Sequence, residues 1–240
     1  MELLTVIGVG TAALAASIMG GMTGMGTAIV MIPVLTFVVG IREAIPIVTV
    51  AVTMQTFSRV WVNRHSIDYR VARWFVIGAL PASVAGAVVF ANTAADLLAR
   101  ALGVFLLLAV VYRHLPVSHR RIPIRGFVAV GVGQGFLSAL FGGAGPFGAT
   151  FFLSYGLVRN AFIGTVALAM VAINFVKIAV YGGYSLLDAR ALSIAVGIGL
   201  IMVVGAYAGG VLVRRISDRA FVFSVEVVMV AAGVLLIVWS

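Results

Sequence analysis

Hydrophobic residues along this chain fall into eight runs, approximately 3–39, 43–62, 71–91, 97–112, 126–158, 161–183, 189–213 and 220–239, separated by short polar breaks. Most have the length of one helix crossing the roughly 30 Å hydrocarbon layer, which takes about 20 residues. The first and fifth run to 37 and 33 residues. As continuous helices they would extend about 50 Å or more, so each is expected to fold back on itself. Both are broken near the middle by a glycine cluster, Gly20-Gly21-Met22-Thr23-Gly24-Met25-Gly26 and Gly142-Gly143-Ala144-Gly145-Pro146. Non-helical backbone is tolerated at membrane depth only where protein or an aqueous cavity surrounds it. That restriction puts both clusters inside the bundle.

Charge tests the fold-back. The segments 64–73, 113–125 and 214–219 hold most of the basic residues between runs, and basic loops are retained on the cytoplasmic side. If all three lie inside, the fifth run must begin and end there, which a hairpin does and a single crossing does not. The same form for the first run places both chain ends outside and gives the two halves opposite orientation.

Composition agrees with this class: of 240 residues, 63% are hydrophobic and 10% charged, with a net charge of +9. In a soluble protein such charge would suggest nucleic acid, but here it sits in the breaks between spans, and no nucleic-acid partner is expected. With no cysteine, disulfides and thiolate metal ligands are excluded. The amino terminus, Met1-Glu2-Leu3-Leu4-Thr5, lacks the positive segment of a secretory signal and is read as mature chain.

The halves also resemble each other in sequence. Gly24 and Gly26 match Gly143 and Gly145, Gly78 and Gly86 match Gly197 and Gly205, Gln55 matches Asn174, and Arg100 matches Arg219, all 119 residues apart. The expected fold is an all-α polytopic membrane protein, an inverted repeat of residues 1–116 and 117–240, each opening with a glycine-broken re-entrant or short helical hairpin. Such paired interruptions point to a transporter's binding site.

A helix restarting after Gly26, or after Pro146, presents free N–H groups and a positive dipole end, to which an anion is the natural ligand. Thr23 and Thr27 at the first cluster, and Ser138 and Thr150 around the second, add hydroxyls. The same small residues also allow close helix packing, and the pairs Gly8/Gly10 and Gly131/Gly133 are read that way. Gln55 and Arg59 are four residues apart on one helical face, and Asn174 and Lys177 three apart on another. Gln55 and Asn174 lie about 12 to 14 Å from the nearer span end, the cations shallower. Together they form a relay for an anion. Alternatively the cations snorkel to headgroups and the amides bond neighbouring helices. The candidate substrate-binding residues are thus Thr23, Gly24, Gly26, Thr27, Gln55, Arg59, Gly143, Gly145, Asn174 and Lys177.

Glu226 is the one acid well inside an apolar run, and a carboxyl in low dielectric stays protonated until water or a positive partner reaches it. It is the candidate proton-coupling group, with snorkelling or a structural bond as the other readings. Asp68, Asp96, Asp188 and Asp218 sit at loops. His65, His114 and His119 make no metal-ligand pattern, Ser138 has no adjacent histidine base, and no GxxxxGK[ST] order is present. No enzyme, cofactor or direct ATP coupling is expected. Trp61, Trp74 and Trp239 lie near span ends and suit interfacial anchoring.

The elements Gly20-Gly21-Met22-Thr23-Gly24-Met25-Gly26 followed by Met31-Ile32-Pro33-Val34-Leu35, and Gly135-Phe136-Leu137-Ser138-Ala139-Leu140-Phe141-Gly142-Gly143-Ala144-Gly145-Pro146, resemble the TauE/SafE family of sulfite and organosulfonate exporters. The resemblance covers essentially the whole chain, although Thr27, Pro146 and Phe147 depart from the family's usual glycine-rich and proline-leucine pattern. It implies a multispan permease for sulfite, a sulfonate or a related small anion, driven by a proton or other ion gradient, in the cell membrane and more narrowly a bacterial inner membrane. Alternating exposure is expected to come from motion of the halves. The other readings are a non-transporting membrane assembly or sensory partner, in which the glycines only pack helices, and an anion channel.

Overall fold

The computed structural model describes the backbone of residues 2–23, 27–114, 122–157, 159–212 and 218–239. These residues form ten α-helices: α1 (Glu2–Thr23), α2 (Thr27–Val39), α3 (Ile41–Asn63), α4 (Tyr69–Asn92), α5 (Ala95–His114), α6 (Phe127–Phe141), α7 (Gly145–Tyr155), α8 (Arg159–Gly183), α9 (Ala189–Leu212) and α10 (Asp218–Trp239). Six helical segments, Ile41–Ser66, Tyr69–Asn92, Ala95–Tyr112, Ile124–Phe141, Asn160–Gly183 and Ala189–Ala208, are long and apolar enough to cross a membrane. The protein is an all-α polytopic membrane protein.

The fifth apolar run is a hairpin. α6, with the turn before it, makes an 18-residue span, whereas α7 has 11 residues, which reach about 16 Å, short of the roughly 30 Å hydrocarbon layer. Their outer ends come together: Phe127, Phe152 and Leu157 share an apolar cluster with Val71 and Phe162, and the rings of Phe127 and Tyr155 meet edge-on at 5.4 Å. The Asp68 backbone N–H donates to Thr165 Oγ1 at 2.9 Å. The starts of α4, α6 and α8 and the end of α7 therefore share one end of the bundle, where Arg64, Arg70, Arg73 and Arg125 are exposed. By the positive-inside rule that end is the one expected to face the cytoplasm.

At the opposite end the Arg42 guanidinium donates to the carbonyls of Ala91 and Thr93, and Asn92 Nδ2 donates to the Tyr184 hydroxyl. This joins the start of α3, and hence the end of α2, to the ends of α4 and α8. α1 runs parallel to α9, with Gly10 beside Ile201 and Ser17 against Gly205, so the α1–α2 hairpin opens at this second end. The helix pairs α1–α2 and α6–α7 therefore enter from opposite ends.

Glycine seams hold the hairpins. In the α4–α6 pair, a Cβ at Gly78 would collide with the Val128 carbonyl, one at Gly131 with that of Phe75, and one at Gly135 with that of Ala79. Backbones this close gain dispersion contacts that lipid cannot match. Gly205 accommodates Ser17 in the α1–α9 pair, and Gly103 and Gly233 meet between α5 and α10. Exchanging the first five helices for the last five maps α1–α9 onto α4–α6 and α3–α9 onto α4–α8, and returns α3–α8 and α5–α10 to themselves. Of the glycines read as packing residues, Gly131 is in the seam, and a Cβ at Gly133 would stand 3.2 Å from the Phe147 ring. A Cβ at Gly10 would stand 3.8 Å from Ile201, while one at Gly8 would meet nothing within 4 Å; the packing reading does not extend to Gly8.

Overpacking a tight interface costs about 1–3 kcal/mol, whereas a substitution into open space stays within about 0.5 kcal/mol. Gly78→Leu is therefore expected to lower the thermal unfolding midpoint in detergent, and Gly8→Leu to leave it unchanged.

Candidate functional site

The second hairpin turns at Gly142, whose φ of 77° lies in the left-handed region that glycine adopts without steric cost. The last carbonyls of α6 have no partner within the helix and lie far from bulk water. Two side chains of α8, one turn apart, satisfy them. The Tyr181 hydroxyl donates to the Ala139 carbonyl, and Lys177 Nζ donates to the Gly142 carbonyl at 3.2 Å. The same ammonium donates to Asn174 Oδ1 at 3.3 Å and Ser138 Oγ at 3.5 Å. Lys177 is 0% exposed, so it does not snorkel. Its three donors meet three neutral acceptors, and its charge sits at the negative end of the α6 dipole, where a cation is favourable.

α7 starts at Gly145, with Pro146 in its first turn. Pro146 thus belongs to the helix, slightly earlier than a restart after it, at a position where its missing N–H costs nothing.

The first hairpin is gripped in a similar way by α3. Gln55 Nε2 donates to the Ser17 carbonyl of α1 at 3.3 Å, and one turn later Arg59 Nη2 lies 3.3 Å from where a Cβ on Gly20 would stand. α3 carries further hydroxyls through the bundle because Thr49, Thr53 and Thr56 each donate to the carbonyl four residues earlier, satisfying themselves locally. Gly24 and Gly26 lie outside the described residues, as does the side chain of Thr23. Thr27, the first residue of α2, is buried, and its Oγ1 has no hydrogen-bond partner among the described residues.

Between the start of α2 and the Gly142–Gly145 turn is a cavity of about 70 Å³. Six of the ten candidates line it: Thr27, Gln55, Arg59, Gly143, Gly145 and Asn174. Lys177 is not in the cavity wall but stands behind it, bonded to three residues that are, Asn174, Ser138 and Gly142. Because Lys177 occupies Oδ1, Asn174 keeps its Nδ2 donors for the cavity. At the start of α7 Pro146 has no N–H and that of Phe147 donates to the Ala144 carbonyl at 3.1 Å, so the helix offers the cavity the N–H of Gly145, a residue of its wall. None of the lining residues is an Asp or Glu. The arrangement presents amide, hydroxyl and guanidinium donors in a low-dielectric setting, where each interacts more strongly than in water.

Sequence reasoning assigned no role to Thr56, which lines the cavity, or to the Gly142 carbonyl. It valued Ser138 for its hydroxyl near the cluster, and that hydroxyl accepts from Lys177 while the residue lines the cavity. Glu226 lies on α10, which packs chiefly on α5 and less on α2. Its side chain lies outside the described residues.

The sequence model of the family described as "Sulfite exporter TauE/SafE" matches residues 9–236. No curated protein and no solved structure gives a significant match.

Removing Lys177 would strand buried acceptors, each worth about 1–3 kcal/mol when left unsatisfied. Lys177→Met is expected to destabilise the protein by about 2 kcal/mol or more and to weaken anion binding by freeing the Asn174 amide to rotate. Thermal unfolding in detergent, read with and without anion, checks both effects.

Proposed function

The chain belongs to the sulfite exporter TauE/SafE family, a family of transporters, and on that premise we propose that it is a secondary transporter of a small anion. The cavity between the start of α2 and the Gly142–Gly145 turn carries this reading. Donors converge on it from α2, α3, α7 and α8, and no carboxylate lines it. A volume of about 70 Å³ suits a compact oxyanion such as sulfite better than an extended organosulfonate. A membrane assembly or sensory partner needs only packed helices. Buried polar groups left without partners are costly, and Thr27 Oγ1 and Gln55 Oε1 are accounted for by a ligand that such a partner would not bind.

We further propose that residues 1–116 and 117–240 form the inverted pair. The exchange symmetry of the helix contacts supports this, as do the opposite-facing hairpins. Alternating exposure then moves each hairpin together with the helix of the other half to which its seam binds it, since splitting the chain into its sequence halves would part both seams. The partners of the reading are the anion, the lipid bilayer of a cell membrane, such as a bacterial inner membrane, and a coupling ion, with a proton proposed. Two carriers are open to that proton, Glu226 in the protein and the anion itself, and proton movement in Glu226→Gln tells them apart.

A charge-assisted hydrogen bond is worth about 1.5–3 kcal/mol, or about tenfold or more in affinity. Sulfite flux into proteoliposomes under imposed proton and electrical gradients should saturate, and Arg59→Gln should weaken its half-saturation by about that factor. Saturable flux with unchanged half-saturation in the variant would remove Arg59 from the site, and absence of flux for sulfite, taurine, sulfoacetate and acetate alike would count against transport.

A further inference from the structure

The two amides at the cavity are fixed in opposite senses. Asn174 receives Lys177 on Oδ1, so its donors remain for a ligand. Gln55 donates Nε2 to the Ser17 carbonyl, and a carbonyl can only accept, so turning the amide over would set two acceptors against each other. Oε1 of Gln55 is thereby its unengaged atom. It is buried, has no hydrogen-bond partner among the described residues, and belongs to a residue, 0% exposed, that lines the cavity. An anion without a proton answers Asn174, Arg59 and the start of α7, but sets a further acceptor against Gln55.

We infer that the bound species is a hydrogen oxyanion, a monoanion carrying one O–H, whose oxygens accept from Asn174 and α7 while its O–H donates to Gln55 Oε1. This rests on the anion-transport reading and narrows its substrate to a protonation state. For sulfite it means hydrogensulfite. Crossing as HSO3⁻ moves one proton and one negative charge together, and release of the proton on the far side, where HSO3⁻ gives SO3²⁻ and H⁺, completes the step without a titrating carboxyl in the protein.

The charged groups that face Gln55 are Arg59 on its own helix and Lys177 on α8. α1 beyond Glu2, α2, α6 and α7 carry no Asp, Glu, His, Lys or Arg, and α9 carries only Arg190 in its first turn. Any pH dependence arising in the protein itself therefore comes from those cations and acts on every anion alike. Ligand protonation acts only on an anion that titrates.

Chlorate separates the two. It is pyramidal and isoelectronic with sulfite, has the charge of hydrogensulfite, and carries no proton at any working pH. Binding of sulfite and of chlorate to the purified full-length protein would be measured across the second ionisation of sulfite, near neutrality. Sulfite should tighten as pH falls, by about fivefold or more relative to chlorate, as one hydrogen bond of about 1 kcal/mol allows. In Gln55→Leu the profiles of the two anions should converge. In proteoliposomes, Glu226→Gln should leave the proton moved with each sulfite unchanged.

Parallel sulfite and chlorate profiles in the wild-type protein would overturn the inference while leaving an anion transporter in place, since water at Gln55 Oε1 would then serve either ligand. Loss of proton movement in Glu226→Gln would also overturn it. Binding of neither anion at any pH would overturn the inference together with the transport reading. The wild-type comparison needs no variant to fold.

Discussion

The structure depends on one problem and its solution: two helix pairs end in the middle of a medium that offers their backbones no hydrogen bonds. Every unsatisfied group there costs several kcal/mol. At the second turn Lys177 and Tyr181 supply the donors that the end of α6 lacks. The beginning of α7 has the opposite requirement, an N–H in need of an acceptor. Side chains answer the carbonyl end, and the cavity lies at the N–H end. The polarity of the site follows from which helix termini the protein caps itself.

This explains why buried cations do not make the cavity a bare positive hole. Lys177 is spent on the turn and influences a ligand through the orientation of Asn174. Arg59 sits where the first hairpin ends and also lines the cavity. A fixed amide is a weaker attractor than a charge but a more selective one, because it distinguishes a ligand atom that accepts from one that donates.

Much of the architecture was legible in the sequence because length and charge are blunt signals in a membrane. A 33-residue apolar run cannot stand as one span, and the basic segments fix where it returns. That Gln55, Arg59 and Asn174 would face the interior, where they line one cavity, was legible as well, since polar residues deep in a span must face protein or a cavity. The role of Lys177 was not: spacing put it on a face with Asn174, but its principal acceptor is the Gly142 carbonyl, which exists only once α6 ends there. Ser138 was visible as a hydroxyl near glycines, without the partner that defines it. The two glycine pairs read alike in sequence, yet Gly131 sits against a backbone and Gly8 against nothing, because helix periodicity alone does not reveal which face finds a neighbour.

The seams also set an order of events during synthesis. Ser17 of α1 packs against Gly205 of α9, a partner that leaves the ribosome much later. At about 5–20 residues per second the first hairpin exists for on the order of ten seconds or more before its seam can close. α6, by contrast, finds α4 already made. The amino-terminal hairpin therefore spends the early life of every molecule without its final neighbour, and the insertion machinery or a transient lipid arrangement must tolerate a broken helix pair that the finished protein never exposes.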